Sequence, residues 1–156
     1  MFNLKIIVVD KTRSPFLKQG ESFYLERLRR YARIEWVEVK PVKIKKGSST
    51  DKILALEGAS LSKKLLPRDY IIALNRAGKS YGSKGFAERI QKLAVTRERL
   101  AFLVGGPLGL SAEILDGANE VLSLSRFTLT HEMSRLLLLE QLYRAFTIIH
   151  NEKYHK

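Results

Sequence analysis

Leu100-Ala101-Phe102-Leu103-Val104-Gly105-Gly106-Pro107-Leu108-Gly109, residues 100–109, is the stretch that decides the fold. Its first half is an unbroken apolar run, the mark of a strand covered on both faces. Its second half is a glycine-rich turn. Glycine allows positive φ and lets a backbone approach a ligand closely. Taken alone, such a turn is either a ligand loop or a tight strand-to-helix connection.

Upstream, Leu4–Val9 is a second run of this kind, and Ser14-Pro15 supplies a helix cap followed by proline at the first helical position. That helix is expected to reach about Tyr31, carrying Phe16, Phe23, Leu25 and Leu28. Ile34–Val39 alternates as a half-buried strand does, and 41–50 is a basic loop holding Lys43, Lys45 and Lys46. A helix over 51–65 ends before Pro67, Tyr70–Leu74 is a strand, Asn75–Gly82 a loop, and Ser83 caps a helix running to Arg97. Downstream, Ser111 caps a short helix, Val121–Leu124 is a short strand, and Thr130 caps a long helix reaching His150. Strands alternating with helices predict one domain, 1–156: an α/β fold with an open, mostly parallel sheet and helices on both faces.

In such sheets ligands sit beyond the carboxyl ends of the strands. Loops 75–82, 105–110 and 125–130 satisfy that rule. Asp10–Ser14, after the first strand, holds no glycine, so the dinucleotide fingerprint is missing, which argues against the common Rossmann-type methyltransferases and dehydrogenases. Gly78-Lys79-Ser80 resembles the end of a phosphate loop, but the glycine required five positions earlier is Ala73.

The chain carries 28 Lys+Arg against 16 Asp+Glu, a net +12. Residues 1–66 hold 15 of the cations against 7 acids, so the excess is concentrated there. A field of this size favours polyanionic partners, nucleic acid above all. The absence of cysteine excludes disulfides, thiolate metal sites and a cysteine nucleophile. His131, His150 and His155 are scattered without ligand spacing, so no metal is expected. No signal-peptide pattern and no apolar run of about 20 residues is present, which predicts a cytoplasmic protein without a membrane segment.

The helix 131–150 is apolar around most of its circumference, with Leu136–Leu139, Leu142, Phe146, Ile148 and Ile149. It belongs in a core or in a subunit interface. Arg135, Glu140, Gln141 and Arg144 interrupt it and need partners or a ligand. Arg144 lies one turn after Glu140 and can pair with it. Tyr154 and His155 fall in a tail whose default is fraying.

Four segments together resemble the bacterial 23S rRNA pseudouridine N3-methyltransferases of the α/β-knot (SPOUT) superfamily. They are Val104–Leu110, Leu122–His131, Glu140–Phe146 and Tyr154-His155-Lys156. Family members commonly carry proline where this chain has Thr130 and an acidic residue where it has Asn75. The resemblance implies a trefoil knot near the C-terminus and a homodimer whose final helices pack together. It implies S-adenosyl-L-methionine as cofactor, held by Leu74, Gly105, Leu124, Ser125, Arg126, Phe127, Thr128 and Leu129. Leu74 and Leu129 would wall the adenine, and backbone groups of Gly105, Leu124, Ser125 and Phe127 would meet its polar edge. The implied acceptor is a pseudouridine in helix 69 of the large-subunit rRNA in assembled ribosomes.

An imide nitrogen must lose its proton to accept a methyl group. His155 is the expected base, Tyr154 the residue that positions the ring, and Arg144 the cation for a phosphate or for developing charge. Lys43, Lys45, Lys46, Arg27, Arg29 and Arg30 are expected to anchor the rRNA backbone. A non-catalytic rRNA-binding assembly factor and a knotted methyltransferase acting on tRNA are the alternatives.

Overall fold

The computed structural model describes residues 1–156. In chain order the elements are β1 (Phe2–Val9), α1 (Pro15–Leu28), β2 (Ala32–Val39), α2 (Thr50–Ser62), β3 (Asp69–Ser80), α3 (Ser83–Thr96), β4 (Arg99–Val104), α4 (Ala112–Gly117), β5 (Glu120–Ser123) and α5 (His131–Ile149). The strands form one sheet in the order β2-β1-β4-β3-β5, and every pair is parallel. The run that opened the reading, β4, is the central strand: Phe102 stands opposite Ile6 of β1 and Ile72 of β3.

Because side chains alternate across a strand, the apolar strands feed two cores. Leu4, Ile6, Val8, Ile72 and Phe102 face the larger one, with Leu28 of α1, Ile90 of α3, and Leu138, Leu142 and Phe146 of α5. Ile7, Val9, Ala73 and Leu103 face the smaller one, closed by Leu61 of α2 and Ile114 of α4. The expected three-layer α/β architecture is therefore present. The all-round apolarity of α5 follows in part from its packing against α1, α3 and β4 at once. Gly20 sets how closely α1 approaches it, because a Cβ there would stand 2.8 Å from Leu136.

Three local expectations need correction. Residues 75–82 are not simply a loop. β3 leaves its ladder after Leu74 and rejoins β5 at Lys79, both residues facing Leu122. The excursion is held by the Ala77 N–H donating to Asn75 Oδ1 at 2.9 Å, and Gly78 leaves no room for a Cβ beside the Val121 carbonyl, 2.5 Å away. Ser14 occupies the cap position of α1 but its side chain makes no capping bond. Its N–H instead donates to Glu132 of α5 at 3.1 Å. Ser83 is the first residue of α3, and Gly82 takes the cap position. Ser111 and Thr130 do cap, accepting from the N–H groups of Ile114 and Met133.

No helix is long and apolar enough to cross a membrane.

Candidate active site

A cleft of about 860 Å³ opens at the carboxyl end of the sheet, within the range of small-molecule sites. The ends of β3, β4 and β5 supply Leu74, Gly105–Gly109 and the 124–130 segment, so the three loops expected from sequence converge. The glycines are needed here. A Cβ at Gly105 would lie 2.4 Å from the backbone of Gly109, whose own φ is +83°. The turn is pinched by the Gly109 N–H donating to the Gly106 carbonyl at 3.0 Å.

The 124–129 backbone is almost free of internal bonds. Ser125 Oγ accepts from the Phe127 N–H at 3.0 Å, and the Ser125 carbonyl accepts from Ser123 Oγ at 3.0 Å. The remaining donors and acceptors of this segment make no backbone bond, which suits a ligand with a hydrogen-bonding heterocyclic edge and an apolar face. The Phe127 N–H and the Ser125 carbonyl, already engaged by serine side chains, are the exceptions among the expected backbone contacts. Leu74 and Leu129 line the cleft as expected, and so do Leu124, Ser125, Phe127 and Thr128. Arg126 does not line it and is exposed.

A wall that sequence reasoning missed comes from α1 and α5. Ser14, Phe16 and Leu17 contribute to it from the start of α1, and His131, Glu132 and Ser134 from the first turn of α5. The first turn of α5 grips the β1–α1 connection. Glu132 Oε1 accepts from the Ser14 N–H and also from that of Arg13. Fully buried Arg135 donates to Thr12 Oγ1 at 2.9 Å and to the Val9 carbonyl. Burial would raise the Glu132 pKa, but the backbone donors outweigh it and hold the carboxyl below its usual range. Burial and the neighbouring Arg135 charge lower the pKa of His131 and favour its neutral form. The signal was available: the carboxyl-end rule applies to β1 as well, but the lack of glycine in 10–14 set that loop aside.

A second polar cluster lies further along α5. Arg144 donates to Glu140 Oε1 at 3.1 Å through Nε and at 2.5 Å through Nη2, the one-turn pair expected from spacing. Tyr154 donates to the same oxygen at 3.2 Å, and Arg144 lies 4.8 Å from the centre of its ring. His155 Nδ1 stands 3.3 Å from Arg144 Nη1. A guanidinium can only donate, so Nδ1 is the acceptor in this contact. Burial, the Tyr24 hydroxyl and the Glu140 charge raise the Tyr154 pKa, which makes it a phenol donor and not a base. The bonds to Glu140 keep Arg144 firmly charged. Arg144, Tyr154 and His155 are thus brought together, and the 150–156 segment is docked where fraying was the default.

The cleft and the cluster are separate within the chain. At 1.5 Å per residue, Arg144 lies roughly 20 Å along the helix axis from His131. The expected RNA anchors divide likewise. Lys43, Lys45 and Lys46 follow β2 at the cleft end of the sheet, whereas Arg27, Arg29 and Arg30 sit where α1 ends, at the opposite end of the strands, and Arg30 pairs there with Glu152. No group of three or more His, Asp or Glu side chains is placed to hold a metal ion.

Comparison with known proteins agrees with this architecture. The family model described as "Predicted SPOUT methyltransferase" matches residues 2–155. Proteins named "Ribosomal RNA large subunit methyltransferase H" align over 99% of this chain and 99% of their own length. They are 41% identical in Bacillus cytotoxicus, 42% in Limosilactobacillus fermentum and 40% in Bacillus thuringiensis. With a glycine-pinched cleft at the carboxyl end of a parallel sheet and a match spanning nearly every residue, the chain belongs to the SPOUT methyltransferase family.

Proposed function

We propose that this enzyme, working as a homodimer, transfers a methyl group from S-adenosylmethionine to N3 of a pseudouridine in helix 69 of 23S rRNA, on assembled ribosomes. The observation that carries this reading is the pair of sites on α5: a glycine-pinched cleft at its start and an Arg-Tyr-His cluster roughly 20 Å further on. Neither is complete alone. An antiparallel partner would bring its cluster to this cleft, and the half-exposed flank of α5 is the surface available for that contact. The family's knot would thread the 124–130 segment and hold the cleft loops together.

The bound cofactor supplies an already electrophilic sulfonium methyl, so the chain's own task is alignment and exclusion of water. Leu74 and Leu129 offer apolar walls to the adenine, and the open backbone of 124–129 and Gly105 offers its polar partners. Arg144 supplies permanent charge for the RNA or for negative charge growing on the uracil carbonyls. Tyr154, a neutral phenol, positions the ring. His155 takes the imide proton, which requires the Arg144 contact on Nδ1 to open as the RNA arrives. Lys43, Lys45, Lys46 and Arg76 surround the cleft end with charge for the phosphates.

Incubating the protein with labelled S-adenosylmethionine and intact ribosomes, free subunits or tRNA tests the reading. Label in the 23S rRNA of ribosomes is expected. Label in tRNA alone identifies a different substrate, and no cofactor uptake by calorimetry leaves only an rRNA-binding factor.

A further inference from the structure

The segment after α5 is tied down by a residue outside both sites. The chain reverses at Asn151, whose φ of 54° lies in the left-handed region. The Asn151 N–H donates to the Ile148 carbonyl at 3.1 Å and the Glu152 N–H to the Thr147 carbonyl at 2.8 Å, the pattern of a Schellman cap. This turn presents the Glu152 carboxylate to the end of α1. The Tyr31 hydroxyl donates to Oε2 at 2.7 Å, and Arg30 pairs with Oε1 at 3.3 Å. Tyr31 is itself immobilised. It is 4% exposed, stacks on Phe146 at 5.7 Å between ring centres, and lies 5.0 Å from the His150 ring.

We propose that Glu152, received by the Tyr31 hydroxyl, is a positioning residue that fixes the root of the 150–156 segment and thereby aims Tyr154 and His155 at the acceptor base. This rests on the reading of those two residues as catalytic. Two residues span at most about 7 Å, so anchoring Glu152 confines Tyr154 to a small volume while leaving the tip free to exchange Arg144 for RNA. Without the anchor the tip is held only by the contacts of Tyr154 with Glu140 and Tyr143 and by the His155–Arg144 contact that must open. Neither Glu152 nor Tyr31 lines the cofactor cleft, so an effect on cofactor binding is not part of the proposal.

The test compares Glu152→Ala, Glu152→Gln, Tyr31→Phe and His155→Ala in the full chain. Methylation of ribosomes gives kcat and KM, calorimetry gives S-adenosylmethionine affinity, and trypsin cleavage after exposed Lys153 reports on anchoring. Glu152→Ala is expected to lower kcat by about 10- to 100-fold, a misplacement effect, with cofactor affinity unchanged and clipping accelerated. Tyr31→Phe moves both readouts the same way by less. Glu152→Gln keeps most activity, because its amide oxygen still accepts from Tyr31. If His155→Ala is inactive but Glu152→Ala retains full kcat, the anchoring role is lost and the catalytic reading survives. Loss of kcat without faster clipping also overturns the anchor. Full activity in His155→Ala removes the reading itself. Should Glu152→Ala fail to fold, unchanged kcat and clipping in Tyr31→Phe overturn the proposal.

Discussion

Gly105 and Arg135 show two ways in which one residue governs the cleft. A methyl group at position 105 would overlap the Gly109 backbone, 2.4 Å away. Gly105→Ala must therefore open the turn, and calorimetry is expected to show cofactor affinity reduced at least about tenfold, the order of one misplaced contact shell, while circular dichroism stays unchanged. Arg135 is fully buried, and its Nε alone among buried side-chain polar atoms has no partner. Leaving the Thr12 hydroxyl and the Val9 carbonyl short of their buried donor costs about 1–3 kcal/mol each, so Arg135→Ala is expected to lose on the order of that sum in urea unfolding and to free the 10–14 loop. The two differ in legibility. Gly105 could be read because its constraint is local, as could the Glu140–Arg144 pair one helical turn apart. Arg135 announced itself as a charge needing a partner, but Thr12 and Val9 lie more than a hundred residues away and only the folded sheet brings them together.

Elements are held at their ends by few groups. Thr130 caps α5 through the Met133 N–H at 3.2 Å, so Thr130→Ala is expected to cost about 1 kcal/mol in denaturant unfolding and Thr130→Ser almost nothing. At the amino edge of the sheet, Asp69 ties β3 to β4: Arg99 donates to it at 2.6 and 2.8 Å, and the Leu66 N–H at 2.8 Å. Burial alone would raise its pKa, but these donors lower it below 3.8. A lowered carboxylate pKa gives stability that is complete above 3.8 and disappears as pH falls through the folded value. Asp69→Asn is thus expected to be less stable by about 3 kcal/mol at pH 7, with the gap to wild type closing in unfolding titrations as pH falls below 3.8. Strand and helix identities were legible because apolar runs and caps are periodic and short-range. The path of β3 was not: its four-residue excursion depends on where β5 pairs, and pairing register is a property of two segments at once.

At the scale of the molecule the separation of cleft and cluster makes a prediction about subunits. If each site borrows its cluster from a partner, Gly105→Trp and His155→Ala proteins are each inactive. Exchanged one to one they should recover about a quarter of wild-type turnover, since half the dimers are mixed and each holds one intact site. No recovery after verified exchange would place both halves in the same subunit. Charge, sheet class and the convergence of three loops were readable from the chain; the wall donated by α1 was passed over, because the segment 10–14 follows the carboxyl end of β1 but holds no glycine. The strand order carries a last consequence, for synthesis. β4, at the middle of the sheet, begins only at Arg99. Until it emerges from the ribosome, β1 and β3 have no common neighbour, and each exposes an unpaired apolar edge of the sort that invites association between nascent chains. Assembly of the centre must then occur late and all at once. Arrested translation products shorter than about 100 residues should consequently be protease-sensitive and bound by chaperones that recognise extended apolar segments.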